Sequence, residues 1–269
     1  MNLVASLPMY DLPPVRAQTD ALWTLLSAHL RREGVEGVPR ALSREKPYEA
    51  LWSKPDLLIS QSCGYPLTHV YRETLRPVAR FHYAVPGCRG PDYSSAILVS
   101  DSSAAGEMGE LRGTVCAVNS RNSQSGYNAI RAMVAPIAGG GRFFSDIRVT
   151  GSHFASITAV AEGEADVCAV DCVTYALLDR YAPDSIAGVR VLGFTPACPG
   201  LPLVARTDLD ADQFDRLRAA LRAAISDPEG ERVRQALFID GLTETVFDDY
   251  LPVLEMEASA NRLGYPELR

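Results

Sequence analysis

Between Asn119 and Val134 the chain reads NSRNSQSGYNAIRAMV. Ser120, Ser123 and Ser125 crowd the stretch before Gly126, and a helical pattern starts at Tyr127. The first turn of a helix has backbone N–H groups without intrahelical acceptors, and it carries the positive end of the helix dipole. Serine hydroxyls there add donors that bring no charge. Ser123, Gln124, Ser125, Gly126 and Tyr127 therefore form a candidate cradle for an oxyanion: phosphate, phosphonate, sulfonate or carboxylate. Simple N-capping by Ser123 or Ser125 accounts for the same residues equally well. The GK[ST] signature of a P-loop is absent.

Other polar residues fall at comparable places. Ser152 and His153 stand between a strand pattern and a helix start, where a histidine is also an ordinary packing residue. Asp171 follows the buried run ADVCAV and has helix capping as its alternative role. Tyr65 lies in SCGYPLTHVY after the run DLLIS, and Tyr10 follows the first apolar run; each could simply be half-buried. What links these groups is position. All fall at the carboxyl ends of expected strands, where open α/β sheets hold their ligands.

Those strands come from short apolar runs: LVASLP, PDLLISQS, RPVARFHYAVPG, YSSAILVS, LRGTVCAVNS, RFFSDIRVTGS, ADVCAVD, VRVLGFT and LPLVART. Helical spacing appears in VRAQTDALWTLLSAHLRREG, HFASITAVAEGE and CVTYALLDRYAP. After LPLVART the pattern reads as helical to the end, through DADQFDRLRAALRAAIS, EGERVRQALFI and TVFDDYLPVLEMEASANRL. Strands alternating with longer helices predict βαβ units and mainly parallel sheets. PGCRGPDYSS and GFTPACPG, rich in glycine and proline, bracket a central piece of domain size. The expected organisation is one lobe from residues 1–90 plus 197–269, a second from 91–196, and a ligand cleft between them.

The totals exclude several classes. Thirty-three acidic against 26 basic residues give a net charge of -7, with no basic field for nucleic-acid phosphates. No run of about eighteen apolar residues signals a membrane span. The start, MNLVASLPMYDLPP, lacks a basic signal-peptide region, so the expectation is cytoplasmic as written, and periplasmic if a leader has been removed. The six cysteines form no CxxC pair, and no metal or cofactor is expected. Cys116 and Cys168 lie in apolar runs and read as buried small hydrophobes. Cys63 and Cys88 each adjoin a glycine in a turn, which leaves a disulfide between them open.

Four segments, DLLISQSCGYPL, NSRNSQSGYNAIRAMVAP, TGSHFASITAVAEGEADVCAVDCVTYALL and GLPLVART, resemble the phosphate/phosphonate-binding proteins of ABC importers. These belong to the type 2 periplasmic-binding-protein superfamily. The resemblance runs from about residue 2 to residue 225. It implies two α/β lobes joined by two hinge crossings and closing over an anion. It implies an oxyanion pocket of Ser123, Gln124, Ser125 and His153, closed by Tyr65 from the other lobe. Asp171 would meet the ligand's organic or amine end, and Tyr10 is a looser match. Two departures bear on the ligand. Gln124 stands where a hydroxyl residue is common. Phe154 follows His153 where an acid is common, which favours a smaller or more apolar ligand.

The first functional reading is therefore a monomeric solute-binding receptor, not an enzyme. It binds a phosphonate, phosphate or organic phosphate by hinge closure, and its partner is an ABC permease. A second reading is a cytosolic biosynthetic enzyme on the same fold. It would act on a small phosphorylated or carboxylated metabolite, with His153 as acid or base, Asp171 its partner, and Cys172 or Cys63 as nucleophile. A third is a sensor domain that binds the same ligands and touches a kinase or regulator.

Overall fold

In the computed structural model, which describes residues 3–269, the apolar runs become strands, and helices begin after the candidate caps Ser152 and Asp171. The chain opens with β1 (Val4–Ala5), α1 (Arg16–Arg32), β2 (Leu57–Gln61), α2 (Gly64–His69) and β3 (Leu75–Tyr83). The short bridges β4 (Cys88–Arg89) and β5 (Asp92–Tyr93) follow. Next come β6 (Ser95–Ser100), β7 (Val115–Val118), α3 (Ala129–Ala138), β8 (Asp146–Val149) and α4 (His153–Ala161). Then β9 (Val167–Asp171), α5 (Cys172–Tyr181), β10 (Val189–Phe194) and β11 (Cys198–Pro199) complete the central part. The chain ends with β12 (Pro202–Arg206), α6 (Ala211–Ser226), α7 (Glu231–Ala236), β13 (Ile239–Glu244) and α8 (Leu251–Arg262).

Two units result. Of the described residues, the first comprises 3–84, 89–91 and 200–250, and the second 85–88, 92–199 and 251–269. The sheet of the first unit has the order β1-β2-β12-β3-β13, and that of the second β10-β6-β9-β7-β8. Both sheets are mixed, not mainly parallel. In the first, β1 and β2 are parallel, while β12 and β13 run antiparallel to their neighbours. In the second β7 is parallel to β8 and β9, whereas β6 is antiparallel to β9 and β10. Apolar periodicity reports burial, and it carries no information about strand direction.

Two further expectations are corrected. Residues 239–244 form β13, paired with β3, in a region where the pattern read as helical and no strand was expected. The residues after 250 join the second unit, not the first, so the chain passes between units at 250/251 as well as near 84–92 and at 199/200. Their anchoring is apolar. Ala260, Tyr265 and Leu268 enter the same core as Ile97, Val118, Ile130, Val134 and Val167. No disulfide joins Cys63 to Cys88. Cys116 and Cys168 are fully buried, as expected, and burial raises the pKa of both thiols.

Candidate functional site

Parallel pairing of β7 with β8 sets the geometry of the second unit's site. The register Val118 opposite Val149 continues past the strand ends, where Thr150 N donates to Val118 O at 2.9 Å and Gly151 N to Asn119 O at 3.0 Å. Gly151 has φ +91°, a conformation that favours glycine. The loop after β7 and the loop after β8 therefore run side by side, and His153 meets the serine run.

The run itself begins as a π-helical turn over Gln124–Asn128 before α3 takes over. Asn128 N donates to Ser123 O at 3.0 Å, a five-residue step. Such turns recur at functional sites. Ser123 is the cap, and its Oγ accepts from Gly126 N at 3.0 Å. Ser125 Oγ lies 3.4 Å from Ser123 Oγ and 3.0 Å from His153 Nε2. Ser123, Ser125 and His153 thus form one chain of polar atoms at the start of a helical segment. Ser152 caps α4 through Ala155 N at 3.1 Å.

Burial lowers the pKa of His153 to about 4. Its ring is therefore neutral over the physiological range, and Nδ1 is buried with no hydrogen-bond partner among the described residues. Neutral imidazole has one N–H. With the proton on Nε2, His153 donates to Ser125 Oγ, and the Ser125 hydroxyl proton is left to point at an incoming oxygen.

Asp171 reaches the same place through β6. Ser95 stands opposite Asp171 in the β6–β9 register, and Ser95 Oγ donates to Ser125 O at 2.9 Å. Asp171 Oδ1 accepts from Val173 N at 2.8 Å and Thr174 N at 3.1 Å, so it caps α5. It does not orient His153, because Nδ1 of that ring is unpartnered. The acid–histidine pairing of the enzyme reading is thus missing. Of its candidate thiols, Cys63 belongs to the first unit and Cys172 contacts Cys88.

Two predicted residues turn inward. Gln124 is fully buried; its Oε1 accepts from Asn128 Nδ2 at 2.7 Å, and its Nε2 donates to Met256 Sδ at 3.2 Å. Asn128 Oδ1 accepts from Arg131 Nη2 at 2.7 Å, and Arg131 Nη1 donates to Pro266 O at 2.7 Å. Tyr127 OH accepts from Leu268 N at 3.1 Å. Both side chains back the loop against the C-terminal segment, a support with no local signal in the sequence. Gly126 leaves room for a neighbour: a Cβ there would lie 1.9 Å from Asn119 Oδ1 and 3.3 Å from His153 Cε1. Asn119 was legible only as part of the polar run. Phe154 is half-exposed and lines a groove of about 380 Å³ with Arg148, Val149 and Thr158, away from the serine loop. Arg148 and Glu164 pair with each other in that groove, so it offers no converging donors.

In the first unit Tyr10 and Tyr65 follow the adjacent parallel strands β1 and β2. Tyr10 packs edge-on against Tyr83 at 5.3 Å between ring centroids. Tyr65 stacks on His69 at 3.8 Å. Among the described residues no cluster of metal-ligating side chains occurs, and no helix is long and apolar enough to cross a membrane.

The model of one family, described as ABC transporter, phosphonate, periplasmic substrate-binding protein, matches residues 4–250. No curated protein matches the chain. Among solved structures, a binding-protein component of a phosphonate ABC transporter from Pseudomonas aeruginosa is similar, with a TM-score of 0.77. It is 18% identical, over 97% of this chain and 87% of that one. A Prochlorococcus marinus protein in complex with methylphosphonate has a TM-score of 0.70 and 16% identity, over 97% and 98%. A Xanthomonas citri protein bound to ATP has a TM-score of 0.70 and 17% identity, over 97% of both chains. At these identities the structures establish the two-lobed periplasmic-binding-protein fold.

Proposed function

The chain belongs to the phosphonate periplasmic substrate-binding proteins of ABC transporters, a family of binding receptors and not of enzymes, and from that premise we propose that it binds a small phosphonate or phosphate at Ser123, Ser125 and His153. One observation carries the proposal: Ser125 Oγ is flanked by Ser123 Oγ at 3.4 Å and neutral His153 Nε2 at 3.0 Å, at the start of a helical segment. Donors of this kind hold an oxyanion without a lysine or arginine. A net charge of -7 is therefore no obstacle.

In this reading the Ser125 hydroxyl and the backbone N–H groups of the first turn donate to the anion. Gln124 contributes backbone only, Gly126 keeps its N–H on the Ser123 cap and lets the loop approach closely, and Tyr127 holds the loop from behind. The organic end of the ligand meets Asp171, and Tyr10 and Tyr65 are the candidate ligand contacts of the first unit. The receptor is a monomer that works in the periplasm and delivers its ligand to an ABC permease by hinge closure.

A thermal-melt panel tests the proposal. It uses phosphate, methylphosphonate, an aminoalkylphosphonate, sulfate and an alkylsulfonate. A ligand at a hundred times its dissociation constant adds about 2.7 kcal/mol, which is several degrees in a chain of this size. A selective rise with a phosphorus oxyanion is expected. A flat panel, or a rise with the sulfur anions alone, contradicts it.

A further inference from the structure

The binding account uses neither Cys88 nor Cys172. Cys88 lies at the end of the segment Val85–Cys88, which packs with the second unit, and Cys172 opens α5 directly after Asp171. Their Sγ atoms are 3.5 Å apart. A disulfide needs about 2.05 Å, so closure takes a movement of about 1.5 Å. Gly87 makes the approach possible. Its φ is +95°, and a Cβ there would lie 2.8 Å from Phe194 and 3.0 Å from Cys172 Cβ. Any other residue would push the segment away.

The two thiols are unequally exposed. Cys88 is half-buried, while Cys172 is 2% exposed. Cys116 and Cys168 are sealed in the sheet, Cys198 is buried, and Cys63 belongs to the first unit.

We propose that Cys88 is a site of thiol–disulfide exchange and that Cys172 resolves it, forming a Cys88–Cys172 disulfide. The oxidant is a small-molecule disulfide such as oxidised glutathione. The Cys88 thiol loses its proton to solvent, and its sulfur attacks one glutathione sulfur. The glutathione S–S bond breaks, and the first glutathione leaves as a thiolate. Cys172 then loses its proton and attacks the Cys88 sulfur, expelling the second glutathione thiolate. The two glutathione thiolates take up the two protons. Two thiols and one small disulfide become one protein disulfide and two small thiols, with two electrons transferred. The order follows from exposure, since Cys88 is the more accessible thiol. The contact with Cys88, together with burial, holds the Cys172 pKa up, and that contact changes once Cys88 is modified. The link would close a loop from residue 88 to residue 172 that contains the serine run and His153. It stands independently of the ligand reading.

The test treats the reduced full chain with oxidised glutathione and maps disulfides by mass spectrometry without reductant. A Cys88–Cys172 linked peptide is expected, with loss of two thiols from the six and a melting temperature that rises and falls back on reduction. Cys172→Ser should instead trap glutathione on Cys88, and Cys88→Ser should give neither product. Six surviving thiols in the unsubstituted chain, or a link between any other pair, overturns the proposal. That mapping does not depend on how the variants fold.

Discussion

Asn119 Oδ1 fills the space that a side chain at Gly126 would need, 1.9 Å from the position of a Cβ there. The glycine is required by close approach, since its φ is not in the left-handed region. Gly126→Ala should therefore cost about 1–3 kcal/mol through overpacking. Asn119→Ala in the same chain should recover much of it, because the clashing atom is gone. Chemical denaturation of the two single variants and the double variant measures this. Additive losses would contradict the contact.

His153 gives a pH dependence of defined sign. Its folded pKa is about 4, below the ordinary 6.5. Between these values the unfolded chain takes up a proton that the folded chain refuses. The stability present above pH 6.5 is therefore lost as pH falls toward 4, by an amount on the order of 3 kcal/mol. Comparing His153→Gln with the unsubstituted chain across pH 7 to 4 isolates the effect. The variant's curve should be flatter in that window; equal slopes would contradict the buried neutral ring.

The C-terminal segment should matter to the loop it backs. Asn128→Ala removes a buried donor to Gln124 Oε1 and a buried acceptor from Arg131 Nη2, which keeps its pairing with Glu257. A loss of about 1–3 kcal/mol is expected. Hydrogen exchange at residues 124–128 should speed up in the variant. Unchanged stability would show that the network carries no weight.

Asp171 has two roles to separate. Asp171→Asn keeps an oxygen for Val173 N and Thr174 N, so the melting temperature should hardly move. It removes the charge that would face a ligand amine. Affinity for an aminoalkylphosphonate should fall while affinity for methylphosphonate stays. Calorimetry with both ligands decides, and equal losses would assign Asp171 to structure alone.

Much of this architecture was legible in the sequence because local rules wrote it. The helix Arg16–Arg32, the strand Val167–Asp171 and the caps Ser123, Ser152 and Asp171 follow from periodicity and capping chemistry. β13 was missed because Ile239–Glu244 is mostly half-buried and polar, with Gly241 inside it, so it shows neither an apolar run nor clean alternation. Non-local facts were beyond reach. Nothing near Met256 announces that it touches Gln124, and nothing near Cys88 announces Cys172. The serine run and His153 could be named, but their meeting depends on β7 and β8 pairing in parallel. The inward turn of Gln124 and Tyr127 depends on where residues 251–269 pack.

The most direct measurement is calorimetric titration of methylphosphonate and phosphate into the unsubstituted chain and into Ser125→Ala. Ser123 still caps Gly126 in that variant, so the fold should persist. Loss of a hydrogen bond to a charged group should weaken binding by about 1.5–3 kcal/mol, roughly ten- to 150-fold. Equal affinity in the two chains would contradict the placement of the anion at Ser125.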